Sequence, residues 1–113
     1  MAAFDSSDLG NDEAQELIDS TPNLAIIDVR DEEKYDDAHV PGAVLIPLQE
    51  ILADAQGKLP KSDILFVCNV GQMSGVAAQM AAAIGCTNVY NLAKGTEGWL
   101  ADGRKVEGAR ATE

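Results

Sequence analysis

The chain is short of several things at once. Aromatic residues make up only 4% of its 113 residues, so any core must be mostly Ala, Val, Ile and Leu. Lys and Arg number 8 against 19 Asp and Glu, a net charge of −11. That deficit argues against nucleic acid or an anionic membrane as a partner, and disfavours capture of small free anions unless local cations override the field. No apolar run is long enough to span a bilayer. The opening Met-Ala-Ala-Phe-Asp-Ser-Ser-Asp is not basic and leads into no signal-type apolar core, so a cytoplasmic location is the default expectation. Two cysteines do not make a disulfide framework, and the spacing of Cys68 and Cys86 fits no CxxC redox or zinc pattern. No internal repeat or low-complexity segment is present. One domain with a modest core is expected over 1–113, its body at about 12–107, with short frayed ends that include the residues after Gly108.

What is present alternates. Asp12 to Ser20 reads as a helix with Asp12 as N-cap and Gln15 three residues on. Leu24 to Val29 is a continuous apolar run, as in a central strand. Asp31 to Tyr35 reads as about one helical turn, Val40-Pro41-Gly42 as a turn and Ala43 to Ile46 as a short strand. Leu48, Ile51, Leu52 and Ala55 recur at helical spacing, with Gly57 expected to stop that helix. Asp63 to Val67 is the most strand-like stretch. Ser74 to Ile84 reads as an Ala-rich helix ending at Gly85, Asn88 to Leu92 as a strand, and Gly95 to Asp102 as a last helix before Gly103. Strands alternating with helices imply an α/β fold: a mostly parallel sheet with helices on both faces. Sites in such sheets gather outside the carboxyl ends of the strands. Cys68, Arg30 and Lys94 all fall there.

Cys68 is the residue on which chemistry is expected. It stands where Ile64-Leu65-Phe66-Val67 runs into Asn69-Val70-Gly71-Gln72-Met73-Ser74, directly before the Ala-rich helix. Loop amides and a helix N-terminus both stabilise negative charge, conditions that favour a nucleophilic thiolate. The bland alternative is a small buried hydrophobe ending a strand. The loop contains no Arg and no Lys.

Several landmarks resemble the rhodanese family of sulfurtransferases. Asp28-Val29-Arg30 resembles its first-strand signature, and Ala38-His39-Val40-Pro41-Gly42-Ala43 its G-H-[IV]-P-G-A turn. Cys68 to Ser74 occupies the place of its active-site loop. Asn88 to Leu92 with Gly95 and Trp99 resembles its closing strand, Gly pair and helix. The resemblance covers roughly residues 12 to 107 and implies a rhodanese-like five-stranded sheet. It also implies that Cys68 attacks a sulfur donor, carries the sulfur as a persulfide and passes it to cyanide, a thiol or a protein. The amides of Asn69, Val70, Gly71, Gln72, Met73 and Ser74 would hold the anion, the Ser74 hydroxyl would add a hydrogen bond, and no metal or organic cofactor is implied. The family's loop commonly reads C-R-x-G-x-R, but here Asn69 and Met73 replace both arginines. Charged hydrogen bonds of this kind contribute about 1.5–3 kcal/mol each, so poor thiosulfate use is expected. A small-molecule or protein persulfide is the expected donor. Further departures are Ala38 for Gly, Lys94 for the first Gly of the pair, and Lys34 where Glu is common.

Other residues carry two readings each. Lys94 is either a substitute for the missing loop charge or a solvated loop Lys. Met73 either packs or faces a pocket that favours a neutral or thiol-bearing donor. His39 is read as structural rather than as a base. Asp28 and Arg30 are read as an ion pair at a strand end, with Arg30 as an alternative pocket rim. The helix from Ser74 to Ile84 spans about 16 Å, which places Cys86 at the far edge of the sheet, in the core and out of disulfide reach of Cys68. The acidic run Asp31-Glu32-Glu33 with Asp36-Asp37 is a solvated face or a dock for a basic protein. The leading function is therefore a sulfurtransferase. The alternative is a non-catalytic rhodanese-like module for protein interaction or regulation. A Cys phosphatase ranks last, because its C-x5-R motif would need Arg where Ser74 stands.

Overall fold

A computed structural model describes residues 6–111. The elements are β1 (Ser7–Leu9), α1 (Asn11–Ser20), β2 (Ala25–Asp28), α2 (Glu32–Asp37), β3 (Val44–Leu45), α3 (Leu48–Ala53), α4 (Ala55–Lys58), β4 (Ser62–Val67), α5 (Gln72–Ala83), β5 (Thr87–Leu92) and α6 (Gly95–Ala101). The five strands form one sheet in the order β1-β5-β4-β2-β3. Every pairing is parallel, so the expected α/β class holds and the sheet is wholly rather than mostly parallel.

Alternation along the central strands builds two cores. Ile27, Ile64 and Phe66 share one face with Ile51 of α3 and Ala77, Ala78 and Ala81 of α5, and Cys68 continues that face. Ile26, Leu65, Val67 and Leu92 face Ala14 of α1 and Trp99 of α6 on the other side. Because helices cover both faces, Ile64 to Val67 are all buried, which is why β4 reads as a continuous apolar run rather than an alternating one. The alanines of α5 let that helix lie close to the sheet.

Local hydrogen bonds moved several boundaries. The N-cap of α1 is Gly10, not Asp12, because the Glu13 carboxylate accepts from the Gly10 amide at 3.0 Å. The expected partner Gln15 instead donates to Asp19. The helix after Leu48 does not run to Gly57. Asp54, at φ −157°, breaks it after Ala53, and its carboxylate then accepts from the Gly57 amide to start α4. Side chains of this kind compete with the helical backbone for hydrogen bonds. α5 begins two residues early, at Gln72. β1, Ser-Asp-Leu, lies ahead of the expected body of the domain and pairs with β5 at an edge. Its mixed polarity carries no strand pattern.

The chain after Gly108 is tied down rather than frayed as far as Ala111. The amides of Ala109 and Arg110 donate to the carbonyls of Asp36 and Asp37, and Arg110 pairs with the Asp37 carboxylate at 3.0 Å. The opening residues read above for a signal fall partly among 1–5, outside the described residues. Among the described residues no helix is long and apolar enough to cross a membrane.

Candidate active site

The sheet order creates a crevice. β2 and β4 lie side by side, but the chain leaves β2 toward β3 and leaves β4 toward β5. The loops after them therefore diverge, and ligands of open parallel sheets bind at such switch points. Cys68 follows β4 and Arg30 follows β2.

The loop holding Cys68 is clamped from below. The amide of Thr96, in the first turn of α6, donates to the Cys68 carbonyl at 2.8 Å, and that of Glu97 to the Asn69 carbonyl at 3.0 Å. This approach demands glycine at two points. A Cβ on Gly95 (φ +65°) would fall 2.2 Å from the Asn69 carbonyl oxygen, and one on Gly71 (φ +93°) 2.2 Å from that of Ala93. Left-handed backbone without a Cβ is what glycine alone supplies cheaply.

The sulfur has two polar neighbours. The Gly71 amide donates to Cys68 Sγ at 3.2 Å, and Ser74 Oγ lies 3.2 Å from it. Of the six expected amide donors, Gly71 is the one hydrogen-bonded to the sulfur. Ser74 is fully buried, and Cys68 itself is 2% exposed, so the thiol is more enclosed than a loop position implied.

Counting hydrogens around Ser74 gives a further result. The Asn91 side-chain nitrogen donates to Asp8 Oδ1 at 3.0 Å and to the Gly71 carbonyl at 3.1 Å. Both partners only accept, so Asn91 must present its oxygen to Ser74 Oγ, 2.5 Å away. A hydroxyl has one hydrogen. With the sulfur as a neutral thiol, Ser74 donates to Asn91 and can accept from the S–H. With the sulfur as an anion, the Ser74 hydrogen must turn to it and release Asn91. Asn91 therefore acts on the sulfur through Ser74.

Arg30 is the nearest cation to the loop. It is 6% exposed and forms a forked pair with the fully buried Asp28, Nε to Oδ1 at 2.9 Å and Nη2 to Oδ2 at 2.7 Å. Nη2 also donates to the Ala38 carbonyl, and Nη1 donates to Asn69 Oδ1 at 3.1 Å. The expected ion pair is present and does more than expected, because it also anchors the loop. An Arg at position 69 would offer this donor only another donor.

The other expected residues are spread out. Val70, Gln72 and Met73 are exposed, and Met73 faces a crevice with Pro47 and Leu48. Lys94 caps α6 and is exposed, its carbons lying over Gly98. It lines a cavity with Asp12, Asp102 and Arg104 that does not include Cys68, and its charge helps hold the Asp102 carboxyl below the usual range, behind the larger effects of hydrogen bonds from Arg104 and Asn11. His39 is structural: it stacks on Tyr35 at 3.8 Å, its Nδ1 donates to the Tyr35 carbonyl at 2.7 Å, and its Nε2 is 3.5 Å from Glu107. Cys86 is buried at the opposite end of β5, its thiol donating to the Pro60 carbonyl at 3.4 Å, and burial pushes its pKa up. The residues that sequence reasoning missed are Asn91 and Asp8. A single Asn inside an otherwise buried strand was the available signal for the first; Asp8 carried none.

Known proteins share the fold described above. The family model for the rhodanese-like domain matches residues 10–102. The putative sulfur carrier protein YrkF of Bacillus subtilis is 35% identical over 85 residues, 75% of this chain and 46% of that protein, so the chain spans about half the length of that relative. The thiosulfate sulfurtransferase PspE of Escherichia coli is 40% identical over 80 residues, 66% of this chain and 77% of that protein. Among solved structures, the rhodanese-like domain of an Anabaena protein matches with a TM-score of 0.76 at 28% identity, covering 96% of this chain and 84% of that one.

Proposed function

This chain belongs to the rhodanese-like domain family, and from that premise we propose that it is a sulfurtransferase carrying sulfane sulfur as a persulfide on Cys68. The ionised Cys68 sulfur attacks the outer sulfur of a donor persulfide, R–S–SH. The new Sγ–S bond forms as the donor S–S bond breaks, and R–S⁻ leaves with the bonding electrons. An acceptor thiolate, protein or small molecule, or cyanide then attacks the outer sulfur of Cys68–S–SH and frees Cys68 again. No net oxidation occurs. The Gly71 amide and the Ser74 hydroxyl hold the anionic sulfur, and the loop from Asn69 to Ser74 surrounds the outer one.

The observation that carries the proposal is the pair of donors on Cys68 Sγ at 3.2 Å, one a main-chain amide of the loop before α5 and the other the buried Ser74 hydroxyl. With Asn69 and Met73 in place of arginine, no loop guanidinium clamps an oxyanion, so persulfides are preferred to thiosulfate as donors. The low exposure of Cys68 restricts direct loading to small donors unless the loop yields. Free, unpaired Cys68 and Cys86 suit a reducing compartment, and a cytoplasmic location is part of this reading.

The enclosure of Cys68 and the lack of loop arginines favour one other reading, a rhodanese-like module that binds partners without turning over sulfur. A donor panel of glutathione persulfide, mercaptopyruvate, thiosulfate and a desulfurase decides between them by intact-protein mass. Gain of one sulfur in the wild type and none in Cys68→Ser is the expected result. Failure of every donor to load Cys68 would leave the binding module.

A further inference from the structure

A crevice of about 500 Å³ beside the Cys68 loop is lined by residues from three chain segments, and Cys68 itself is not part of its lining. Pro47, Leu48 and Leu52 form one wall with Met73 of α5, and Asp31 and Glu32 at the start of α2 form the other. Among the described residues Arg30 is the one cation lining it, and its guanidinium is buried against Asp28, Ala38 and Asn69. The accessible charge of the crevice is therefore negative.

The apolar wall continues onto open surface. Leu52 is 52% exposed, Val70 49%, Met73 44% and Val76 49%. Met73 and Val76 lie three residues apart on α5 and so share one face of it, and Val70 is exposed in the loop that leads into that helix. These four are the majority of the large hydrophobics left exposed among the described residues. This is more than a small thiol can cover, and exposed apolar surface of this kind marks contact with a larger partner.

We propose that this crevice and apolar surface dock the protein that exchanges sulfur with Cys68, and that the docked segment carries its cysteine among aliphatic and basic side chains. The aliphatic group fills the space between Leu52 and Met73, and the Lys or Arg faces Asp31 and Glu32. The net charge of −11 steers a basic partner in and repels an acidic one, an effect on encounter rate and selection more than on bulk affinity. This inference rests on the sulfur-carrier reading and names the partner class for it.

The test uses the full chain and two synthetic peptides of equal length, each with one Cys, flanked by Leu and Lys in one and by Leu and Glu in the other. Protein loaded by glutathione persulfide is quantified by mass, and transfer rates are normalised to the loaded fraction. Sulfur is expected to pass to the Lys peptide at least about tenfold faster than to the Glu peptide or to glutathione at low salt. Added salt should narrow the gap, Glu32→Lys should shrink it severalfold, and Leu52→Asn should slow the Lys peptide. Equal rates for the two peptides, or a ratio unmoved by Glu32→Lys, would overturn the proposal. Docking itself needs no sulfur, so the Lys peptide with Ser for Cys is also titrated into unloaded protein by NMR. Shifts gathered at Glu32, Leu52 and Met73 support the dock, and none there overturns it. Failure to load Cys68 counts instead against the sulfur-carrier reading, while the titration still judges the dock.

Discussion

Each polar atom near the sulfur has a definite number of hydrogens to give, and that count drives the chemistry at the residue scale. Ser74 serves either Asn91 or the sulfur, so removing its hydroxyl strips the anion of one of its two donors. Ser74→Ala is expected to slow persulfide loading of Cys68 about tenfold, in line with the ~1.5–3 kcal/mol of a hydrogen bond to a charged group; time-resolved intact mass with glutathione persulfide checks it. Cys86 has the opposite character, a thiol that burial keeps protonated. A raised folded-state value means its stabilisation is complete below the ordinary thiol range and disappears as pH rises through the raised value. Urea midpoints of wild type should therefore fall relative to Cys86→Ser as pH rises above the ordinary thiol value of about 8.5. The placement of Cys68 at a strand end, before a short loop and a helix start, was readable in the sequence because all three are local features. Asn91 was not, because its value depends on facing Ser74, 17 positions away.

Elements place these atoms, and they do so through close backbone approaches. Gly95→Ala sets a Cβ against the Asn69 carbonyl oxygen, whereas Gly103, also left-handed at φ +75°, has open space around it. Gly95→Ala should cost about 2–4 kcal/mol and displace the loop, while Gly103→Ala should cost only the ~1–2 kcal/mol of a left-handed non-glycine; denaturant titration of both separates steric clash from backbone preference. The Asp28–Arg30 pair ties the end of β2 to the loop after β4. Asp28→Asn leaves a buried guanidinium without its counter-charge and should cost about 3–5 kcal/mol, read from the same titrations. The main strands and helices were legible because periodic burial is written in consecutive residues. β1 and the break at Asp54 were not: the first is three residues of mixed polarity recruited by β5, and the second is one carboxylate choosing the Gly57 amide.

For the molecule as a whole, charge and topology act together. The field of a −11 chain opposes thiosulfate, and the two positions that lack arginine are not equivalent in this fold. Met73 is exposed in the crevice, while Asn69 is already engaged by Arg30. Met73→Arg is therefore expected to raise kcat/KM for thiosulfate about tenfold in a cyanide assay, and Asn69→Arg to give little or to destabilise the loop, since it faces a like charge. The residues by themselves determined the α/β alternation, the position of Cys68 after a buried strand and the acidic charge of the chain, because propensity, hydrophobic period and net charge are sums over neighbours in the chain. Only the tertiary structure decided that Arg30 reaches across 39 positions to Asn69 and that Asp8 and Asn91 meet across 83. Those outcomes follow from strand order and helix packing, which bring distant donors and acceptors within 3 Å or so of each other, and no local pattern encodes them.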